Sequence, residues 1–144
     1  MSNASKILLF FSSLCFLGLF VAGCDFGDVD TSMGARLYGS WRWVSSQGGW
    51  AGGLQTPKST GQTRTAIFRS DGLARFLRND SLVTQVRYSL ESRSDREGKE
   101  YLIIRYLESE YYLADQQVDF GNQDTLYLTD ACIDCYYHVY TRMR

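Results

Sequence analysis

The sequence predicts an all-β domain, and three observations support this prediction. All ten tyrosines and all three tryptophans lie after residue 36, and aromatic side chains fit the pleated, half-buried surface of a sheet. After residue 33 the chain divides into short apolar segments separated by turn sequences, which is typical of a β-sandwich or barrel. No segment has the length and period of a long helix.

The predicted strands follow from alternation and from the turns between them. The clearest is LVTQVRYSLE at 82–91, where apolar and polar residues alternate and predict one wet face. The turn sequences SDG at 70–72 and NDS at 79–81 predict tight hairpins. The one long segment without strand character is 46–61. Seven further strands are predicted at 39–46, 63–70, 73–79, 100–107, 111–120, 124–130 and 136–142.

The N-terminus has the anatomy of a signal peptide. Lys6 is followed by an uncharged apolar run of 17 residues, 7–23, that leads into Cys24. Residues 21–24, VAGC, resemble the lipobox of bacterial lipoproteins. That resemblance implies that 1–23 is a removed lipoprotein signal peptide, that Cys24 carries lipid of the palmitate type, and that 24–36 is the lipidated cysteine with a flexible tether. The alternative is an uncleaved membrane helix, since the run is at the lower limit for spanning.

Charge excludes one class of partner. With Lys6 removed, the chain from residue 24 has a net charge of −2, and its lysines and arginines are scattered. Nucleic acid is therefore not expected as a partner, because phosphate binding needs a concentrated positive surface. Asp25, Asp28 and Asp30 do not have the spacing of a calcium loop and are interpreted as part of a solvated linker.

Cys132 and Cys135, in ACIDCYYH, are expected to form a disulfide because the chain is exported. On a straight strand their Cα atoms would be about 10 Å apart, beyond the ~7 Å limit of a bridge, so residues 133–134 must form a turn. A redox motif and a metal site that includes His138 are the alternatives. The first lacks a helix after Cys132, and the second lacks a fourth ligand. No metal or cofactor is expected.

The sequence does not predict an enzyme. His138 is the only histidine, so a serine or cysteine nucleophile with an imidazole base would have to use it, and no G-x-S-x-G elbow is present. Glu108 and Glu110 share a strand face and could bracket a sugar. Charged residues at a strand end are more simply solvated.

Residues at both ends of the domain resemble a known family. Gly39-Ser40-Trp41 resembles the G-x-W motif of lipocalins and their calycin relatives, and Tyr140-Thr141-Arg142 resembles their closing strand. The resemblance implies that Gly39, Trp41 and Arg142 close the barrel. The glycine lets the chain pass beneath the floor, and the guanidinium covers the indole in a cation–π contact of about 0.5–2 kcal/mol.

The region 37–144 as a whole resembles the lipocalin-like lipoprotein domains of Bacteroidetes-type bacteria, most of which have no known function. The further motifs are F..DG at 68–72, DTLYLTD at 124–130 and YTR at 140–142. This implies an eight-stranded antiparallel up-and-down barrel in the bacterial cell envelope, with the outer membrane favoured. Asp25 also resembles an inner-membrane retention signal of enterobacteria, whereas the acidic run resembles a surface-export signal of Bacteroidetes.

Two functions are compatible with such a barrel. The first is binding of a small apolar or amphipathic ligand by a lipid-anchored module. The second is a structural or interaction module whose barrel is filled by its own aromatic side chains. Trp50 lies in the long first loop, expected at the rim, where it either plugs the barrel or contacts a ligand. The candidate lining residues are Trp43, Trp50, Phe68, Phe76, Tyr88 and Tyr106.

Overall fold

The computed structural model describes residues 31–107, 113–122 and 124–144. The predicted signal peptide, Cys24 and most of the tether lie outside these residues, as do Glu108 and Glu110. None of the described helices is long and apolar enough to cross a membrane. The elements in chain order are α1 (Thr31–Leu37), β1 (Gly39–Gly48), β2 (Gly53–Gln55), α2 (Pro57–Thr60), β3 (Arg64–Phe68), β4 (Leu73–Arg78), β5 (Ser81–Ser94), β6 (Glu100–Leu107), β7 (Gln116–Phe120), β8 (Thr125–Asp130) and β9 (Tyr136–Arg142).

The strands form a closed antiparallel barrel. β1 pairs with β3, each strand from β3 to β8 pairs with the next, and β9 pairs back with β1. β2 is a short additional strand on the edge of β1. The predicted eight-stranded antiparallel barrel is therefore confirmed. β6 has the predicted bounds, whereas β7 begins at Gln116 rather than at residue 111.

The barrel has two distinct ends. The β1–β2, β4–β5, β6–β7 and β8–β9 connections lie at one end, which we call the mouth. Helix α1 and the β3–β4, β5–β6 and β7–β8 connections lie at the other end, which we call the floor. The core between them is built from Leu37 of α1 and from alternating inward-facing residues of the eight barrel strands, β1 and β3 to β9. Its fully buried members are Leu37, Trp41, Trp43, Ala66, Phe68, Ala74, Leu102, Ile104, Leu126 and Leu128.

Three short elements were not predicted, namely α1, β2 and α2. α1 lies where the sequence predicted the flexible tether, but Leu37 is fully buried and Met33 packs against the core. The folded unit therefore begins before residue 37. α2 lies in the predicted long loop and has its own local signals, a capping box between Thr56 and Ser59 and a left-handed Gly61 after its last residue.

The two predicted tight turns and the disulfide hairpin are present. Asn79 and Asp80 have φ of 48° and 62°, and Gly72 has φ of 77°. The disulfide between Cys132 and Cys135 is confirmed, with Cα atoms 5.5 Å apart. The chain turns between them as predicted, since β8 ends before this pair and β9 begins after it.

Candidate functional site

The floor of the barrel is closed by Trp41 and Arg142. Trp41 is fully buried, and its indole nitrogen donates to the carbonyl oxygen of Leu37 at 2.7 Å. The guanidinium carbon of Arg142 lies 4.2 Å from the centre of the Trp41 ring, and Nη1 donates to the carbonyl oxygen of Tyr38 at 3.0 Å. Gly39 has φ of 133°, and a Cβ there would lie 2.8 Å from an Arg142 nitrogen. These contacts join α1, the first strand and the last strand.

Four of the candidate lining residues form a continuous row of rings inside the barrel. Ring centroids are 5.6 Å apart for Tyr88 and Phe68, 6.2 Å for Phe68 and Phe76, and 5.8 Å for Phe76 and Tyr106. All three contacts are edge-to-face, a geometry that adds about 0.5–1.5 kcal/mol per pair. Phe68 and Tyr88 are buried, whereas Phe76 and Tyr106 are only half-buried. Solvent therefore reaches one end of the row.

The other two candidate tryptophans have opposite environments. Trp43 is 1% exposed, and the guanidinium carbon of Arg64 lies 4.3 Å from the centre of its ring. Trp50 is 96% exposed in the turn between β1 and β2. The expectation that Trp50 lines the interior is therefore wrong. The chain turns at Gly48 and Gly49, with φ of 140° and 72°, and this turn leaves the Trp50 side chain in solvent.

A chain of polar side chains crosses the interior from β1 to β8. The indole nitrogen of Trp43 donates to Ser46 Oγ at 2.8 Å, and Ser46 Oγ lies 2.6 Å from His138 Nδ1. His138 Nε2 lies 3.4 Å from a carboxylate oxygen of Asp130. Ser46 Oγ therefore links the Trp43 indole to Nδ1 of His138, and Nε2 of the same ring faces Asp130.

The same chain continues to β7 and β6. Gln116 donates to Asp130 at 2.7 Å, and the Tyr106 hydroxyl donates to Gln116 at 2.7 Å. Burial alone would raise the pKa of the Asp130 carboxyl, but hydrogen bonds from His138 and Gln116 outweigh it and hold that pKa below its ordinary value. Burial raises the pKa of Tyr106 well above its ordinary value, so its hydroxyl remains a donor. We call Trp43, Ser46, His138, Asp130, Gln116 and Tyr106 the interior hydrogen-bond chain.

A serine, an imidazole and a carboxylate in sequence resemble an activated nucleophile. Ser46 is only 1% exposed, however, and its oxygen already accepts a hydrogen bond from Trp43. No buried side-chain nitrogen or oxygen of the described residues is without a partner. The arrangement therefore satisfies buried polar groups and orients them, but it does not present Ser46 to a substrate.

The sequence did not indicate Ser46, Asp130 or Gln116 as site residues. Trp41 and Trp43 share one parity along β1, so strict alternation places Ser46 on the outer face. The pairing of β1 with β9 shifts register between Trp43 and Ser45, and this bulge returns Ser46 to the inside. No signal in the sequence announces a bulge at this position.

Clefts are also present outside the row of rings, and two of them exceed about 300 Å³. One of about 440 Å³ lies near the floor, where β6 and β7 separate below Leu102 and Val118. The other, of about 340 Å³, lies on the outer side of β1 and β3. Neither is lined by the ring row.

The disulfide removes two alternative chemistries from this state of the protein. Bonded sulfurs of Cys132 and Cys135 provide neither a reactive thiolate nor a thiolate ligand. Among the described residues, no group of three or more histidine, cysteine, aspartate or glutamate side chains could hold a metal ion. No family model, curated protein or solved structure matches this chain.

Proposed function

We propose that this protein is a lipid-anchored binding protein of the bacterial envelope whose barrel mouth takes a small amphipathic ligand. The observation that supports the proposal most is the gradient of burial along the inward-facing side chains. Trp41, Phe68 and Leu128 are at most 1% exposed, whereas Phe76 and Tyr106 are half-buried. The deep core is packed, and the less buried end of the row would offer aromatic surface to a ligand.

The polar groups beside this surface suit a ligand with one polar end. Asp130 and His138 are partly accessible, with side-chain exposures of 15% and 16%. Small-molecule sites are mostly apolar and carry a few placed polar groups that fix orientation. The apolar part of the ligand would lie on Phe76 and Tyr106. Its hydroxyl or amide N–H would donate to the Asp130 carboxylate, which is held in place by His138.

The anchor is proposed from the sequence around Cys24. α1 enters the barrel at the floor, so a tether that precedes it joins the protein at the end opposite the mouth. This arrangement would leave the mouth clear of the anchor. Cys24→Ser is expected to move the protein from the membrane to the soluble fraction and to abolish the acyl mass. Cys15→Ser, within the predicted leader, is the matched control and should change neither.

The mouth site is tested by blocking it. Thr84 is the cross-strand partner of Phe76 and Gln85 is the next residue along the strand, on the outer face. We expect Thr84→Trp to weaken binding of the apolar probe N-phenyl-1-naphthylamine at least about tenfold, or about 1.4 kcal/mol. Gln85→Trp should leave binding unchanged. Native mass spectrometry of protein from its own host should show a co-purifying small molecule. Equal probe binding by both variants would contradict the proposal.

The second candidate is an interaction module with a self-filled barrel. It is favoured by the complete pairing of buried polar side-chain atoms among the described residues. The two candidate functions predict different effects of Thr84→Trp on the stability of the protein. An open mouth accommodates the new indole with little change in stability, whereas a filled interior loses about 1–3 kcal/mol through overpacking. A thermal melt of this variant beside Gln85→Trp separates them.

A further inference from the structure

The cleft of about 340 Å³ lies where the hydrogen-bond ladder of β1 is interrupted. In this described part of the barrel, β1 pairs with β3 as far as Arg42 and with β2 from Ser46 onward, so residues 43–45 pair with neither strand. The bulge toward β9 falls at the same residues. α2 follows β2, precedes β3 and contacts β1. Bulges of this kind often lie beside functional sites.

The cleft has the size and composition of a small-ligand site. Its volume falls at the lower end of the range for such sites, about 300–1,000 Å³. It combines apolar walls, two hydroxyl groups and two opposite charges. The lining residues are Arg42, Trp43, Pro57, Thr63, Thr65, Asp80 and Met143.

The two charges are held on opposite sides of β3. Arg42 on β1 is the direct cross-strand partner of Thr65. The β4–β5 turn that carries Asp80 is tied to the start of β3, since Asn79 N donates to the Thr63 carbonyl oxygen and Thr63 N donates to Asn79 Oδ1, both at 2.9 Å. Thr63 and Thr65 are two residues apart, about 7 Å along a strand, and face the same way.

Arg42 and Asp80 line one cleft without pairing. Elsewhere on the surface, by contrast, Arg69 forms an ion pair with Asp71, with the nitrogen and oxygen atoms 2.7 Å apart. Within the described residues, no ion pair joins Arg42 to Asp80, and both side chains are exposed. A cation and an anion that share a cleft but do not contact each other leave room between them for a ligand with both charges.

The neighbouring surface indicates how a charged ligand would be oriented in this cleft. An adjoining cleft of about 280 Å³ shares Arg42 and Met143 and is also lined by Arg142 and Arg144. Arg142 already covers Trp41, and Arg144 pairs with Asp124. Arg42 therefore supplies the positive charge on this side of the 340 Å³ cleft, and Asp80 stands on the other side. An anionic group belongs beside Arg42 and a cationic group beside Asp80.

We propose that this cleft binds a small zwitterion of the α-amino acid class. The ligand carboxylate lies on the Arg42 guanidinium, whose planar donors match a carboxylate in bidentate geometry. The ligand ammonium lies on the Asp80 carboxylate. An aliphatic side chain lies against Pro57 and Met143. This site is on the outside of the barrel, so it does not depend on a ligand in the mouth.

The first test uses three probes that share one aliphatic chain and differ in the charged groups that they carry. Isothermal titration of the purified protein compares L-leucine with 4-methylpentanoate, which lacks the ammonium, and with 3-methylbutylamine, which lacks the carboxylate. We expect leucine to bind at least about tenfold more tightly than either, a difference of about 1.4 kcal/mol. Equal affinity of leucine and 4-methylpentanoate, or no leucine binding at millimolar concentration, would overturn the proposal.

The second test assigns each charge to its residue. Arg42→Gln should weaken leucine and 4-methylpentanoate at least about tenfold. Asp80→Asn should weaken leucine to the same extent and leave 4-methylpentanoate unchanged, and asparagine tolerates the left-handed backbone of this position. Arg78→Gln, an exposed arginine at the end of β4, is the matched control and should change nothing. If Arg42→Gln binds leucine as tightly as the original protein, or if Arg78→Gln loses as much leucine affinity as Arg42→Gln, Arg42 is not the residue that binds the carboxylate. Circular dichroism establishes that each variant is folded.

Discussion

Replacement of Arg142 by methionine tests whether the closing contact at the floor stabilises the barrel. Methionine keeps much of the aliphatic stem and removes the charge. The loss includes the cation–π contact with Trp41, about 1 kcal/mol, and the hydrogen bond from a charged donor to the Tyr38 carbonyl, about 1.5–3 kcal/mol. The bond to the Arg36 carbonyl is exposed and adds little. We expect the free energy of unfolding to fall by about 3 kcal/mol.

Urea unfolding followed by tryptophan fluorescence measures this loss, because Trp41 is fully buried in the folded protein. For a domain of this size, Tm should fall by roughly 15 °C. Arg144→Met is the control. Its side chain is 87% exposed and makes one ion pair with Asp124 at 3.0 Å, so the expected cost is below about 0.5 kcal/mol. If Arg142→Met costs less than about 1 kcal/mol, or no more than the control, Arg142 does not hold the floor closed.

Three further predictions follow from the mouth. The lowered pKa of Asp130 stabilises the folded protein fully above the ordinary value of 3.8, and this stability is lost as pH falls through the lower folded pKa. Asp130→Asn should therefore reduce the loss of unfolding free energy in this acidic range, as measured by urea unfolding at a series of pH values. An unchanged dependence of the unfolding free energy on pH would contradict this prediction. Gly48→Ala should lower the free energy of unfolding by at least about 2 kcal/mol, because the new Cβ would overlap the backbone carbonyl of Cys135. Gly52→Ala is the control, since Gly52 also has a positive φ but has open space around it, and it should lower the free energy of unfolding by only about 1 kcal/mol. Equal losses of stability in thermal melts would refute the steric clash at Gly48. Reduction of the Cys132–Cys135 disulfide should lower the free energy of unfolding by about 2 kcal/mol, measured with and without reductant, with the Cys132→Ser/Cys135→Ser variant insensitive to reductant.

The barrel strands could be predicted because their signals are local. Alternation in 82–91 and the tight turns at 70–72 and 79–81 depend only on neighbouring residues, so they are visible without any tertiary contact. α1 could not be predicted in this way. Its seven residues, Thr31–Leu37, are too few to be stable as an isolated helix. It is stabilised by packing of Leu37 against the core.

The interior was only partly predictable from the sequence. Phe68, Phe76, Tyr88 and Tyr106 were expected from the sequence as candidate lining residues of the barrel interior. Their common row of rings depends on the register of β3 with β4 and of β5 with β6. The position of Ser46 depends on one inserted residue, and a bulge changes parity without changing composition.

The sequence alone determined the β class, the number of barrel strands, the hairpin turns and the turn between the two bonded cysteines, because each of these depends on residues that are close along the chain. Only the tertiary structure decided which polar groups meet inside the barrel. Ser46 and His138 are 92 residues apart and touch only because β9 returns to pair with β1. Contacts made by closing a sheet depend on register, and register is a property of the whole barrel.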